Sequence, residues 1–156
     1  MEQQLIDKMN LQIANEMGSA VLYKNMQYYF EGIGMVNTAE YYKKQAEGEQ
    51  SHADGIAQFL VDRKINAHYE VTAFPIQEKG VYPILAQTLM HEKYVTEMLY
   101  EIYEMACEYE EPLVKVFMHD YLKEQIEEEA VSQALIDTFN LTSDMLIFDN
   151  RVKDLI

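Results

Sequence analysis

The chain of 156 residues carries 12 lysines and arginines against 27 aspartates and glutamates, a net charge of −15. This acidic balance disfavours nucleic acid as a partner, because its phosphates would be repelled, and it suits a protein that gathers cations. Six glycines and three prolines favour helices over sheets and turns. The single cysteine excludes an internal disulfide and any cysteine-rich zinc site.

The length and the N-terminal sequence predict one cytoplasmic domain covering residues 1–156. The chain has the size of one ordinary domain with its own core. Residues 1–5 lack the basic and apolar segments of a signal peptide. No stretch approaches the roughly 20 apolar residues of a membrane span, so we expect no membrane partner. A lone cysteine fits a reducing compartment.

The first predicted helix runs from about Gln4 to Glu31, and Gly32 and Gly34 end it. Residues spaced by three and four share one face of this helix. That face contains Met9, Ile13, Glu16, Ala20, Tyr23 and Gln27. Glu16 is therefore a carboxylate in the middle of the stripe that should face the core.

The second predicted helix runs from about residue 37 to residue 66, with Asn37 or Thr38 as its N-cap. Its core stripe contains Tyr42, Gln45, Glu49, His52, Ile56 and Phe59. Glu49 and His52 interrupt the stripe, and on a helix this offset of three places one side chain above the other. A carboxylate and an imidazole in this arrangement are typical of a metal-ligand pair.

Residues 67–82 lose the helical period and contain Pro75 and Gly80, which predicts a long crossover. Extended, such a segment spans up to about 50 Å. A helix of about 28 residues measures about 42 Å. The crossover can therefore travel the height of a bundle and let the third helix run parallel to the second. That helix is predicted from Pro83 to about Glu108, and Glu92 lies within its apolar stripe.

The fourth predicted helix starts at Pro112 and reaches about Asn140. Its short connection to the third helix predicts an antiparallel pair. Gln125 and Glu128 interrupt its apolar stripe. The sequence Thr142-Ser143-Asp144 then predicts the N-cap of a short, largely apolar fifth helix that covers residues 145–156 and packs on the bundle or on another subunit.

The polar residues of the four stripes fall in one band of the predicted bundle. Counted from each helix start, they lie roughly 14 to 24 Å along helices of about 40 Å. Isolated buried carboxylates are strongly unfavourable, and a shared cation would neutralise them. Carboxylates with one imidazole suit iron or manganese. The non-functional interpretation is a helical interaction module whose central acids are merely hydrated.

The order and spacing of these residues resemble the ferritin-like superfamily, and within it the prokaryotic non-haem ferritins. The matching stretches are Asn15-Glu16 with Tyr23, Glu49-Gln50-Ser51-His52, His91-Glu92 and Glu124-Gln125-Ile126-Glu127-Glu128-Glu129. The resemblance implies an all-α, ferritin-like four-helix bundle with a long crossover between helices 2 and 3 and a short C-terminal fifth helix. It also implies no haem, because Gln50 occupies the place of the haem-binding methionine of bacterioferritins.

The resemblance further implies a dinuclear iron site inside the bundle. Glu16, Glu49 and His52 would hold the first iron, with Glu49 bridging to the second. Glu49 and Glu92 would hold the second iron. Gln125 would orient water or dioxygen beside it.

Further roles follow from the same likeness. Tyr23 resembles the family's tyrosine beside the centre, which can donate a hydrogen bond or an electron. Glu124, Glu127 and Glu128 match the ligands of a third iron site. Gly48 stands where a further glutamate is usual in that site.

The implied function is ferroxidase activity with iron storage. Fe(II) would be oxidised by dioxygen, and the ferric mineral would be stored in a hollow homo-oligomer of about two dozen subunits. The alternative is a soluble di-iron oxidase or peroxide-detoxifying protein without storage. Native mass would separate the two, because a dimer excludes a storage cage.

Overall fold

The computed structural model describes all 156 residues and contains five α-helices and no strand. The helices are α1 (Gln3–Gly32), α2 (Val36–Asp62), α3 (Val81–Glu108), α4 (Pro112–Asn140) and α5 (Met145–Val152). The predicted fold class, four long helices with a long crossover and a short fifth helix, is confirmed. None of these helices combines the length and the apolar character that a membrane crossing requires.

The second helix ends earlier than the sequence predicts. It stops at Asp62 rather than near Asn66, and the chain turns at Lys64, whose φ of 61° lies in the left-handed region. Lysine rarely takes this conformation, so the sequence contains no glycine or other turn residue that would have predicted this helix end. The turn after α1 does follow the prediction, because Gly34 provides a φ of 81°.

Two other helix ends differ by a few residues. The third helix begins at Val81 rather than at Pro83. Proline is accepted there because the first turn of a helix leaves its N–H groups without intrahelical partners. The fifth helix ends at Val152 and does not continue to Ile156.

The predicted N-cap of α2 is wrong. Met35 occupies the N-cap position, and no side chain of the same segment caps the helix. The carboxylate of Asp149 on α5 accepts hydrogen bonds from the backbone N–H groups of Asn37 and Thr38, at 3.2 and 2.8 Å. A distant helix therefore supplies the acceptor that a local cap would otherwise provide.

The apolar interior consists of two clusters at opposite ends of the bundle. One cluster joins the end of α1, the start of α2, the start of α3 and the end of α4 with α5. The other joins the opposite ends of the four long helices. Helices α2 and α3 are therefore parallel, as the long crossover predicts. The polar residues of the four stripes lie between the two clusters.

The crossover lies along α1 and is fixed there by specific contacts. The Thr72 N–H donates to the Ala14 carbonyl at 3.0 Å, and the Thr72 hydroxyl donates to Asn15 Oδ1 at 2.8 Å. Gly18 makes room for this approach, since a Cβ there would lie 2.1 Å from the Thr72 carbonyl oxygen and 2.8 Å from the Phe74 ring. The crossover thus closes one side of the polar layer.

Candidate metal centre

Three predicted ligands from two helices meet in the polar layer. Glu16 on α1 and Glu49 and His52 on α2 each offer one ligand atom, and these atoms lie within 4.8 Å of one another. His52 Nδ1 lies 3.2 Å from Glu49 Oε2 and 3.9 Å from Glu16 Oε2. Both carboxylates are buried and the imidazole is half-buried. Two hard oxygens and one imidazole nitrogen therefore converge on one point.

Glu16 has an oxygen that no protein group satisfies. Its Oε1 accepts a 2.8 Å hydrogen bond from Gln12 Nε2, whereas its Oε2 is buried without a partner. Burial raises the pKa of Glu16 well above its ordinary value, and the neighbouring Glu49 raises it further. An unpaired buried carboxylate oxygen is unfavourable in the absence of a cation. This oxygen, on the His52 side of the carboxylate, fits a metal ligand.

Glu92 on α3 forms the other side of the layer, with the predicted residues Tyr23 and Gln125 bound to it. The Tyr23 hydroxyl donates to Glu92 Oε1, and Gln125 Nε2 donates to Glu92 Oε2 at 3.1 Å. Burial raises the pKa of the Glu92 carboxyl to about 7, although both hydrogen bonds favour the ionised form. Neighbouring groups therefore already hold this carboxylate in a defined orientation.

The acidic run of α4 borders the same layer along an open cleft. His52 Nε2 lies 2.7 Å from Glu124 Oε2, and Glu128 accepts a 2.8 Å hydrogen bond from Gln45 Nε2. The cleft has a volume of about 500 Å³, and Glu127 lies in its wall. The structure thus brings the three third-site candidates to one cleft that also reaches Glu49 and His52.

Glu49 occupies the centre of this arrangement. Burial raises the pKa of its carboxyl to about 8, an interaction with the Glu16 carboxyl opposes that rise, and the carboxylates of Glu92, Glu128 and Glu124 add to it. Like charges in a dry site oppose one another's ionisation. Divalent or trivalent cations would remove that repulsion, and a donor set of carboxylates with one imidazole suits iron.

The family model for the ferritin-like domain matches residues 6–142. The chain belongs to the ferritin-like family. It is 28% identical over 147 residues to a bacterial non-heme ferritin of Bacteroides fragilis, covering 94% of this chain and 92% of that protein. It is 30% identical to ferritin BfrB of Mycolicibacterium smegmatis over 128 residues, covering 80% and 70%. The open-pore ferritin of Archaeoglobus fulgidus superposes with a TM-score of 0.92 at 26% identity, covering 98% of this chain and 96% of that one.

Four side chains that touch the polar layer of this ferritin-like chain were not predicted from the sequence as site residues. Gln12 and Gln45 donate to Glu16 and Glu128. Thr96 accepts from Gln125 at 3.2 Å. The Tyr121 ring meets His52 edge-on with centroids 5.0 Å apart. Spacing could have identified some of them, because Gln12 precedes Glu16 by one helical turn and Tyr121 precedes Gln125 by one turn.

His91 has a packing role in this ferritin-like fold, although it adjoins Glu92 in sequence. Its Nε2 lies 2.7 Å from the Ser19 hydroxyl, and its ring packs edge-on against Tyr23 with centroids 5.8 Å apart. Burial lowers the pKa of the imidazole to about 4, so the ring is neutral near pH 7. It thus supports the aromatic ring whose hydroxyl binds Glu92.

Proposed function

We propose that this chain oxidises Fe(II) to Fe(III) with dioxygen at a dinuclear site in the bundle and stores the ferric product in a hollow homo-oligomer. The observation that carries the proposal is the partnerless Glu16 Oε2, buried beside Glu49 and His52. Membership of the ferritin-like family and the similarity to bacterial non-heme ferritins support it.

In this proposal Glu49 serves both iron positions. Glu16, Glu49 and His52 bind the first Fe(II), and Glu49 with Glu92 binds the second. Two adjacent Fe(II) ions can each give one electron to a single dioxygen molecule, which therefore takes up two. Hard anionic oxygens stabilise Fe(III) more than Fe(II), so the ligand set favours the oxidised product.

Tyr23 and Gln125 act through Glu92. Both donate to its carboxylate, which fixes the two oxygens before iron arrives and limits the reorganisation that binding requires. Beside the second iron, the Gln125 amide would orient water or dioxygen. Tyr23 then lies beside the centre as a hydrogen-bond or electron donor.

Glu128, Glu124 and Glu127 provide the route by which ferric ions leave. They line one cleft with Glu49 and His52, so an ion released from the centre meets further carboxylates without crossing apolar protein. Storage then requires that this cleft open toward an enclosed volume. We propose a cage of about two dozen subunits for that purpose.

Aerobic addition of Fe(II) to the iron-free protein tests the ferroxidase step. The parent should accelerate the appearance of ferric absorbance, and Glu49→Gln and His52→Ala should each slow the fast phase by about tenfold or more. Gln50→Ala is the matched control, since Gln50 is exposed on the same helix turn. If either ligand variant oxidises iron at the parent rate, the site assignment is wrong.

Native mass tests the storage step separately. A large closed oligomer that retains ferric iron after gel filtration supports storage. A dimer with intact ferroxidase activity would instead favour the alternative, a soluble di-iron oxidase or peroxide-detoxifying protein.

A further inference from the structure

Glu129, the last glutamate of the acidic run of α4, contacts α3 and does not line the cleft. It is half-buried, and its Oε2 accepts a 2.9 Å hydrogen bond from the hydroxyl of Thr96. Thr96 is also half-buried and lies one helical turn after Glu92 on α3. Glu129 therefore binds a neighbour of the second iron position, where the roles described above give it no part.

The Thr96 hydroxyl has one hydrogen and two acceptors within reach. Its Oγ1 lies 2.9 Å from Glu129 Oε2 and 3.0 Å from the main-chain carbonyl oxygen of Glu92. The carboxylate is the stronger acceptor, because hydrogen bonds to a charged group are about twice as strong as neutral ones. Glu129 therefore takes the hydroxyl hydrogen, and the Thr96 oxygen is left to accept hydrogen bonds from other groups.

Three acceptors then surround the amide nitrogen of Gln125. Nε2 lies 3.1 Å from Glu92 Oε2, 3.2 Å from the Glu92 main-chain oxygen and 3.2 Å from Thr96 Oγ1. A flipped amide would place its own oxygen against these oxygens, which is unfavourable while Glu129 takes the Thr96 hydrogen. The amide therefore has one stable orientation, with its N–H groups toward α3 and Oε1 as its free oxygen.

We propose that Glu129 and Thr96 are positioning residues for the second iron position, because together they fix the Gln125 amide with its carbonyl oxygen free for the metal or for water bound to it. The inference rests on the proposed function for that position and narrows the role of Gln125. An amide oxygen can bind a hard cation or accept a hydrogen bond from water. It cannot donate a hydrogen bond to dioxygen.

Anaerobic titration of the iron-free protein with Mn(II) tests this inference without the oxidation step. Two Mn(II) ions bridged by a carboxylate give an exchange-coupled electron paramagnetic resonance spectrum, which reports that both positions are filled. Thr96→Val removes the hydroxyl at nearly constant volume, and it should weaken binding of the second ion by about tenfold. Binding of the first ion should be unchanged. Thr96→Ser keeps the hydroxyl and should bind both ions as the parent does.

Two variants of Glu129 separate orientation from charge. Glu129→Ala removes the acceptor for the Thr96 hydroxyl, and it should weaken the second ion by about tenfold. Glu129→Gln removes the charge but keeps an acceptor, so it should retain most of the affinity. Glu97→Ala is the control, because it removes a charge from an exposed position on α3 beside Thr96. Equally weak binding in both Glu129 variants would mean that charge alone acts, and the proposal would be overturned.

Two variants of Gln125 identify which of its groups acts. Gln125→Glu keeps an oxygen and should keep the coupled Mn(II) pair, whereas Gln125→Leu should lose it. Equal losses in the two variants would overturn the proposal, because the N–H groups would then be the ones required.

The outcomes also distinguish this inference from the proposed function. A parent that forms the Mn(II) pair, with unchanged affinity in Thr96→Val and Glu129→Ala, would overturn this inference alone. A parent that shows the expected pattern but fails to accelerate Fe(II) oxidation would contradict the ferroxidase proposal and leave this one standing. A parent that never forms the pair would overturn both. If Thr96→Val does not fold, the comparison of the two Glu129 variants decides.

Discussion

The Asp149 carboxylate on α5 binds Thr38 at the N-terminus of α2. Asp149 Oδ1 accepts from the backbone N–H of Thr38 at 2.8 Å and from its hydroxyl at 2.7 Å. Asp149 is buried, and an anion at a helix N-terminus is favoured by the helix dipole. The contact therefore fixes α5 against the start of α2.

Replacing Asp149 with alanine should loosen α5. Hydrogen bonds to a charged group contribute about 1.5–3 kcal/mol, so we expect the free energy of unfolding to fall by about that amount. Chemical denaturation measures this change. In hydrogen exchange, the variant should lose protection in α5 more than in α4. Asp154→Ala is the control, because Asp154 is exposed and its 3.8 Å ion pair with Arg151 lies on the surface. Equal effects of the two variants would contradict the anchoring role.

The metal-free protein should lose stability as the pH rises. Burial raises the pKa of Glu49 to about 8 and that of Glu92 to about 7, from an ordinary value of 4.5. A carboxyl whose pKa is higher in the folded than in the unfolded state stabilises the fold fully at pH values below its unfolded-state pKa. This contribution is lost as the pH rises through its folded-state pKa. We therefore expect the melting temperature after chelation to fall between about pH 5 and about pH 8. Glu49→Gln should reduce the slope, and a melting temperature that rises over this range would be inconsistent with buried acids.

Glu16→Gln should separate stability from metal binding. The amide can still accept from Gln12 and carries no charge, so the metal-free variant should be at least as stable as the parent near pH 7. Metal affinity should fall by about tenfold or more, because an anionic ligand is lost. Thermal denaturation with and without a redox-inert divalent cation measures both effects. Glu47→Gln removes the same charge from an exposed position, and it should leave the metal-induced shift unchanged.

Two helical glycines should respond to alanine in opposite directions. Gly18→Ala places a Cβ 2.1 Å from the Thr72 carbonyl oxygen, so we expect a loss of about 1–3 kcal/mol as the crossover moves away from α1. Gly48→Ala meets open space and should stabilise α2 by about 0.5–1 kcal/mol. Chemical denaturation compares them. If Gly18→Ala left the free energy of unfolding unchanged, the crossover would not depend on its close approach to α1.

The sequence predicted the helices because their apolar period is long and regular. It also located the polar layer, since Glu16, Glu49, Glu92 and Gln125 each interrupt a stripe, and all four are buried. Periodicity reports which face of a helix points inward. It therefore identifies candidate ligands, while their roles at the centre stay a prediction.

Contacts between distant segments could not be predicted in the same way. The acceptor for the start of α2 is Asp149, 111 residues from Thr38, and no local pattern links them. The end of α2 at Asp62 was missed because the turn that follows it, at Lys64, contains no glycine.

The division of the apolar interior into two clusters has a mechanical consequence. Each half of the bundle has its own apolar cluster, and the polar layer with its buried acids lies between them. In the metal-free protein, ionisation of these acids as the pH rises introduces mutual repulsion that favours small separations of the four helices at mid-height. Cations bound in the polar layer would link carboxylates from different helices. Loading with iron should therefore make the whole subunit more rigid.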